Sequence, residues 1–318
     1  MKRRSLLTLL APLCALVLAG CPAAPGGGAG TSGARADLSG RKIRVTTTVG
    51  MVADIVRNVG GDRVEVTALM GPGIDPHYYK ATSGDVSALN RADIIFYNGL
   101  ELEGKMGEIF ERIARNKPTV AVSSTVDRAN LRQPREFQGR YDPHIWFDVT
   151  LWQQASRAVE NTLAEQDPGS ANAYRKNAET YRKTLGDLHD YVKKQIATLP
   201  PAGRVLITAH DAFGYFGKQY GVEVRGLQGT STTAEAGVRD VQELSRLIAD
   251  RKIKAIFVES SVPRASIEAV QAAVRARGWQ VAIGGQLFSD AMGAGGTPEG
   301  TYVGMVRYNV DTIVKALK

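Results

Sequence analysis

Cysteine is almost absent: Cys14 and Cys21 are the only two in 318 residues. Cys14 falls inside an N-terminal stretch that reads as a removable signal, so the mature chain keeps one thiol and can form no internal disulfide. An exported chain of this kind must hold together by packing, and it is long enough to do so in about two domains. Nor does the apolar run Leu6–Leu18 suffice to cross a bilayer, since a spanning helix needs about 20 apolar residues. Several catalytic signatures are missing as well. No Gly-rich loop ends in Gly-Lys-Ser or Gly-Lys-Thr to cradle a nucleotide, no HExxH pattern is present, and no Gly-x-Ser-x-Gly elbow presents a nucleophile. Excess charge is modest too. Without Lys2, Arg3 and Arg4 of the signal, 37 basic residues face 32 acidic ones, a balance of +5. The basic residues are spread without interleaved aromatics, which argues against nucleic-acid binding.

What is present begins at the N-terminus. Lys2, Arg3 and Arg4 precede the apolar run, which ends in Leu18-Ala19-Gly20-Cys21. Residues 1–20 are expected to be a signal peptide. Leu-Ala-Gly-Cys resembles the bacterial lipoprotein box, in which the cysteine receives lipid and becomes the first mature residue; the alternative is an ordinary secretory signal with an incidental cysteine. The expectation is an exported chain, lipid-anchored through Cys21 and facing the periplasm or the outer cell surface. From Cys21 to Gly40, Gly, Ala, Pro and Ser predominate without apolar periodicity, the composition of a flexible tether.

From Arg41 onward, β-branched runs alternate with helical stretches, the pattern of an α/β fold with mainly parallel sheets flanked by helices. Strands are predicted at Ile43–Thr48, Arg63–Leu69, Asp93–Asn98 and Thr119–Val122, and again at Arg204–Ala209, Val222–Arg225, Ala255–Glu259 and Gln280–Ile283. Helices are predicted near Val52–Val59, Gly84–Arg91 and Lys105–Asn116, then Ala212–Tyr220, Glu235–Asp250, Arg264–Arg277 and Thr301–Leu317. Two lobes follow, at 41–170 and 202–318, with residues 171–201 between them. There Tyr174, Ala178, Tyr181, Leu185, Leu188, Val192, Ile196 and Leu199 recur three or four apart, one long amphipathic helix that Pro200-Pro201 would end. It could brace both lobes; a coiled-coil partner helix would use a similar stripe.

Only four histidines occur, and three lie in segments that look like loops at strand ends. His77 closes Gly71-Pro72-Gly73-Ile74-Asp75-Pro76-His77, His144 lies in Asp142-Pro143-His144, and His210 directly follows a predicted strand. In open α/β sheets ligands bind at that end. Imidazole is a common zinc ligand, and a rigid loop lowers the entropy lost on coordination. Each histidine taken alone could equally be a hydrogen-bonded structural residue. Asp75 and Asp142 could orient the neighbouring rings or form Asx turns, Asp211 could cap the following helix, and capping accounts for Asp148. His189, on the long helix, reads as a partly exposed surface residue.

The stretches GPGIDPHYYKAT, YNGLELEGKM, DPHIWFDV, TAHDAFGYF, GLQGTST, IFVESS and GGQLFSDAMG, in this order from Arg41 to Lys318, resemble the metal-specific substrate-binding proteins of ABC transporters, of the TroA type. The resemblance implies two lobes joined by one long helix, with the metal in the cleft. It implies His77, His144, His210 and Asp290 as ligands; nothing in composition or periodicity singles out Asp290. It also implies a membrane permease with a separate ATPase, a monomer, and capture and delivery without bond-making. The His-rich acidic loop of many zinc-specific relatives is absent, since Asp127–Tyr141 carries Arg128, Arg132, Arg135 and Arg140 and no histidine.

Three imidazoles and a carboxylate favour Zn2+, and a bidentate carboxylate would admit Mn2+. Since neutral imidazoles are required, capture is expected to weaken toward about pH 6 and below. The rival from another class is a zinc hydrolase with Glu259 as general base, although four protein ligands would close the site to water. A surface adhesin with a structural metal is a third reading.

Overall fold

The computed structural model describes residues 38–318. The signal segment, Cys21 and most of the tether lie outside the described residues. The described residues belong to one compact unit.

The first half is built on strands β1 (Ile43–Thr47), β2 (Val64–Ala68), β3 (Ile94–Tyr97) and β4 (Thr119–Ala121), all parallel, in the order β2-β1-β3-β4. Helices α1 (Gly50–Gly60), α2 (Ser83–Arg91) and α3 (Gly107–Ala114) make the crossovers. Because β2 and β3 leave β1 on opposite sides, the order reverses beside β1, and a crevice opens at the carboxyl ends of β1 and β3. Inner strands of such sheets are covered on both faces, so they read as continuous apolar runs. Ile94, Ile95 and Phe96 of β3 are accordingly all buried.

Helix α4 (Val149–Gln166) is capped by Asp148, whose Oδ1 accepts from the Thr150 backbone N–H at 2.9 Å. Helix α5 (Ala171–Ala197) runs 27 residues, about 40 Å at 1.5 Å per residue. The apolar stripe predicted from spacing is its buried face, and that face is consumed within the chain. It packs on α1 and α4 of the first lobe, and on α6 (Gly214–Tyr220) and α9 (Tyr302–Leu317) of the second. One apolar core therefore continues from Val45 and Phe96 through Leu188 to Val306. Such a shared core resists wide hinge opening, because parting the lobes fully would expose it. Leu188 is fully buried at mid-helix. Leu188→Ala is expected to cost about 2–5 kcal/mol, read as a lower urea midpoint at unchanged slope.

The second half contains β5 (Val205–His210) paired with β6 (Glu223–Gln228) and β7 (Ala255–Glu259) paired with β8 (Ala282–Leu287), both parallel. These pairs lie side by side, β5 next to β7, without a continuous hydrogen-bonded ladder. With α7 (Val238–Asp250) and α8 (Ala265–Ala276) they enclose a smaller core around Ile207, Ile256 and Ile267.

Several element ends shift by one to three residues, β5 taking in His210 and β6 reaching Gln228, and two differences go further. The last strand is expected over Gln280–Ile283, yet β8 starts at Ala282 and runs on through Gly284 and Gly285 to Leu287. A Cβ at Gly284 would lie 2.6 Å from Cβ of Ala316 and 2.8 Å from the Phe257 ring. That glycine is what lets α9 approach the strand. Asp211 does not cap α6 either: the helix starts at Gly214 after Phe213, with no side-chain cap. The Asp211 backbone N–H is instead drawn back to the carbonyls of Gln228 and Gly229, and its carboxylate faces Arg132 at 4.0 Å.

Candidate metal centre

His77 sits in the loop after β2. The preceding Asp75 forms an Asx turn, its Oδ1 accepting from the His77 backbone N–H at 2.8 Å, while its Oδ2 takes the Thr232 hydroxyl proton at 2.6 Å. Asp75 thus shapes the loop and ties it to the opposite lobe; it shows no hydrogen bond to the His77 ring.

His144 is held by both devices expected of its neighbour. Asp142 Oδ1 accepts from the His144 backbone N–H at 3.0 Å and lies 2.8 Å from the ring Nδ1. The loop is pinned to the end of β3, where Asn98 Nδ2 donates to the Pro143 carbonyl at 2.9 Å. Asn98 is itself fixed by buried Glu103, which accepts from the Thr48 hydroxyl and from the backbone N–H groups of Asn98 and Gly99. Burial holds the Glu103 carboxyl above its ordinary range, and these three donors offset that rise only in part.

His210 is the last residue of β5, in register with Gln228 of β6, so its backbone is held by the ladder. Glu259, at the end of β7, accepts from the His210 backbone N–H at 2.9 Å. Its other oxygen lies 2.6 Å from Nδ1 of the ring, an ion-pair contact outside hydrogen-bond alignment. Spacing offered Glu259 only as a base for water. In the folded chain it is 4% exposed and spent on the far side of an imidazole. Orienting such rings through their remote nitrogen is what carboxylates do around histidine-bound metals.

Asp290 follows β8, and its carboxylate meets all three rings. Its Oδ1 lies 3.3 Å from Nε2 of His144, and its Oδ2 lies 3.2 Å from Nε2 of His210 and 3.9 Å from Nε2 of His77. The His77 and His144 Nε2 atoms are 3.3 Å apart. One ligand-type atom from each of the four residues lies within 4.8 Å of the others, and all four residues are buried. Ligands around a tetrahedral zinc with bonds of 2.0–2.1 Å sit about 3.3–3.4 Å from one another, so three of these separations match the edges of such a polyhedron.

Nε2 of His210 and Oδ1 of Asp290 are buried, face the cluster and have no hydrogen-bond partner among the described residues. Polar atoms in that state are costly unless a charge completes them. The local field is strongly negative. Burial alone would lower the His144 imidazole, yet the neighbouring carboxylates of Asp142, hydrogen-bonded to Nδ1, and of Asp290 outweigh it and lift it to about 9. Burial likewise opposes the charged His210, but Glu259 and Asp290 raise it well above the ordinary histidine range. His77 has no carboxylate at its back, and burial pushes it down to about 3. Burial would raise Asp290, but His210 and His144 hold it well below the usual carboxylate range. The cluster stabilises positive charge at its centre and donates from neutral nitrogens when that charge is a metal rather than protons.

The walls are dry. The Trp146 ring stands 5.2 Å from that of His144. Its Nε1 donates across the seam to the Ser289 carbonyl at 3.1 Å, while the Tyr302 hydroxyl donates to the Trp146 carbonyl at 2.6 Å. His189 lies elsewhere, half-buried on α5, with its Nδ1 3.2 Å from the Tyr220 hydroxyl.

This arrangement has counterparts. Over 276 residues the chain is 51% identical to the zinc-binding protein TroA of Treponema pallidum, covering 87% of this chain and 89% of that protein. It is 47% identical over 306 residues to the manganese-binding lipoprotein MntA of Bacillus subtilis, covering 96% and 99%. The solved structure of the periplasmic zinc-binding protein TroA superposes with a TM-score of 0.85, covering 87% of this chain and 99% of that one. The sequence profile of the zinc-uptake complex component A, periplasmic, matches residues 45–316. With nearly the whole folded chain matched, this protein belongs to the family of the periplasmic zinc-uptake complex component A, a family of solute-binding transport proteins and not of enzymes.

Proposed function

We propose that the chain captures a single divalent cation between its lobes, held by His77, His144, His210 and Asp290, and hands it to the membrane permease of an ABC importer driven by a separate ATPase. The observation that carries this reading is the convergence of three imidazole nitrogens and one carboxylate in a dry seam, at separations of 3.2–3.9 Å. Zinc is the first choice, because nitrogen-rich sites favour it strongly over manganese. Both oxygens of Asp290 face ring nitrogens, so bidentate coordination would admit manganese as the second. The relatives named above divide between the same two metals.

In this reading residues 1–20 are removed, Cys21 carries the lipid, and residues up to 40 tether the protein to the membrane. Residues 41–170 and 202–318 form the two metal-binding lobes of a monomer, with 171–201 linking them. Glu259 serves the His210 ring and so is not free to activate water.

The test is elemental analysis of protein purified without added metal, together with melting against a metal series. One zinc per chain is expected, with a rise in melting temperature on adding zinc, since ligand bound only to the folded form stabilises it. His189→Ala should retain the whole gain and His77→Ala lose most of it. Equal effects of these two substitutions would overturn the ligand assignment.

A further inference from the structure

The arginine-bearing loop Asp127–Tyr141 supplies none of the four candidate ligands, yet Arg132 reaches the seam beside the cluster. Its Nη1 donates to Oδ2 of Asp142, the carboxylate whose other oxygen serves Nδ1 of His144. Its Nη2 lies 4.0 Å from Oδ2 of Asp211, the residue after His210. The Arg132 backbone N–H donates to the Tyr215 hydroxyl at 3.0 Å, and that hydroxyl donates to the Asp142 carbonyl at 2.9 Å. One permanently charged fork therefore faces a carboxylate from each lobe, each next to a proposed metal ligand.

We propose that Arg132 is a positioning residue that clamps the lobes across the filled site and sets how long the ion stays. The inference rests on the reading of the four side chains as metal ligands. Asp142 is inaccessible and the Asp211 side chain only 17% exposed, so two carboxylates at this seam would repel each other through poorly screening surroundings without the arginine between them. A guanidinium suits the place better than an ammonium because its planar fork serves separated acceptors at once. These contacts must break when the lobes part and need not form before an ion enters, so the clamp acts on release more than on capture.

A steric route tests the same point. A Cβ at Gly214 would lie 1.3 Å from Nη1 of Arg132, so Gly214→Ala must evict the guanidinium. The evicted group is the free end of a flexible side chain, and alanine favours the helix in which it would sit. The fold is therefore kept while the clamp is lost.

The experiment follows zinc release from the mature chain into excess chromogenic chelator by stopped flow, at fixed pH. Arg132→Gln and Gly214→Ala are both expected to release zinc about 10–100-fold faster, with association changed far less. Arg132→Lys should fall between them and the parent, and Arg135→Gln, at an exposed position of the same loop, should match the parent. Adding Asp211→Asn to Arg132→Gln should recover most of the lost residence time, because it removes the repulsion; a merely structural arginine would show no such recovery. Release at the parental rate in both Arg132→Gln and Gly214→Ala, or no recovery with Asp211→Asn, would overturn the clamp. A parent chain that takes up no zinc would instead overturn the site.

Discussion

Asp290→Ala is expected to lower affinity for zinc by about a hundredfold to several thousandfold, the scale of the 3–5 kcal/mol that follows from stranding a buried charge. Asp290 supplies the one negative charge within the cluster, is 1% exposed, and touches all three rings. Without it a dication would sit among neutral imidazoles in dry surroundings, with only Asp142 and Glu259 behind the rings to compensate. Asp290→Asn separates charge from shape, since it keeps one coordinating oxygen at nearly the same volume. It should bind more weakly than the parent and more tightly than the alanine variant. Competition against chelators of graded affinity measures all three. Alanine and parental affinities within about tenfold of each other would exclude Asp290 from coordination, because loss of a ligand in a closed site is not that mild.

The second large effect is with pH, and it extends well above the range that histidine content alone suggests. His144 is raised to about 9 in the metal-free chain and His210 is raised well above its ordinary value. A histidine raised on folding contributes stability that is complete below its unfolded value of about 6.5 and is lost as pH climbs through the folded one. The metal-free protein should accordingly lose melting temperature between pH 6.5 and 9. His77 acts oppositely: with its imidazole held down to about 3, it costs stability as pH falls below about 6.5. Metal must displace the protons on His144 and His210, so apparent zinc affinity should rise by about tenfold per pH unit for each proton displaced over this window. Chelator-buffered zinc titrations at pH 6.5, 7.5 and 8.5 would show it. An affinity flat across that series would mean that the rings are already neutral before the ion arrives, and would remove proton exchange from the binding step.

The α/β class, the element order and the long helix were all legible in the chain itself. They depend on local periodicity: β-branched runs for covered parallel strands, and a stripe recurring every three or four residues for α5. Histidine placement was legible too, because Pro76 and Pro143 mark two stiff loops and scarcity made their histidines, with His210 at a strand end, conspicuous. Other features gave no local signal. Asp290 follows β8 in a stretch with no patterning that distinguishes it from any loop aspartate; the family resemblance named it, and convergence placed it on the rings. Glu259 reads as a strand-end carboxylate whether it activates water or backs an imidazole, and only the 2.6 Å approach to His210 tells these apart. Gly284 lies just past the strand end expected at Ile283, and its role shows only where Ala316 packs against it.

By itself, then, the amino-acid order determined which segments become strands and helices, that no disulfide can form within residues 38–318, which hold no cysteine, and which histidines stand beside prolines in rigid loops. Tertiary structure alone decided which carboxylates serve which rings, that Asp211 answers Arg132 instead of capping a helix, and that the four candidate ligands meet. The division has a physical cause. Backbone propensity and burial act over a few neighbouring residues and leave a periodic trace, whereas coordination and charge pairing depend on distances of about 3 Å between groups up to 213 positions apart, from His77 to Asp290, which no local pattern encodes.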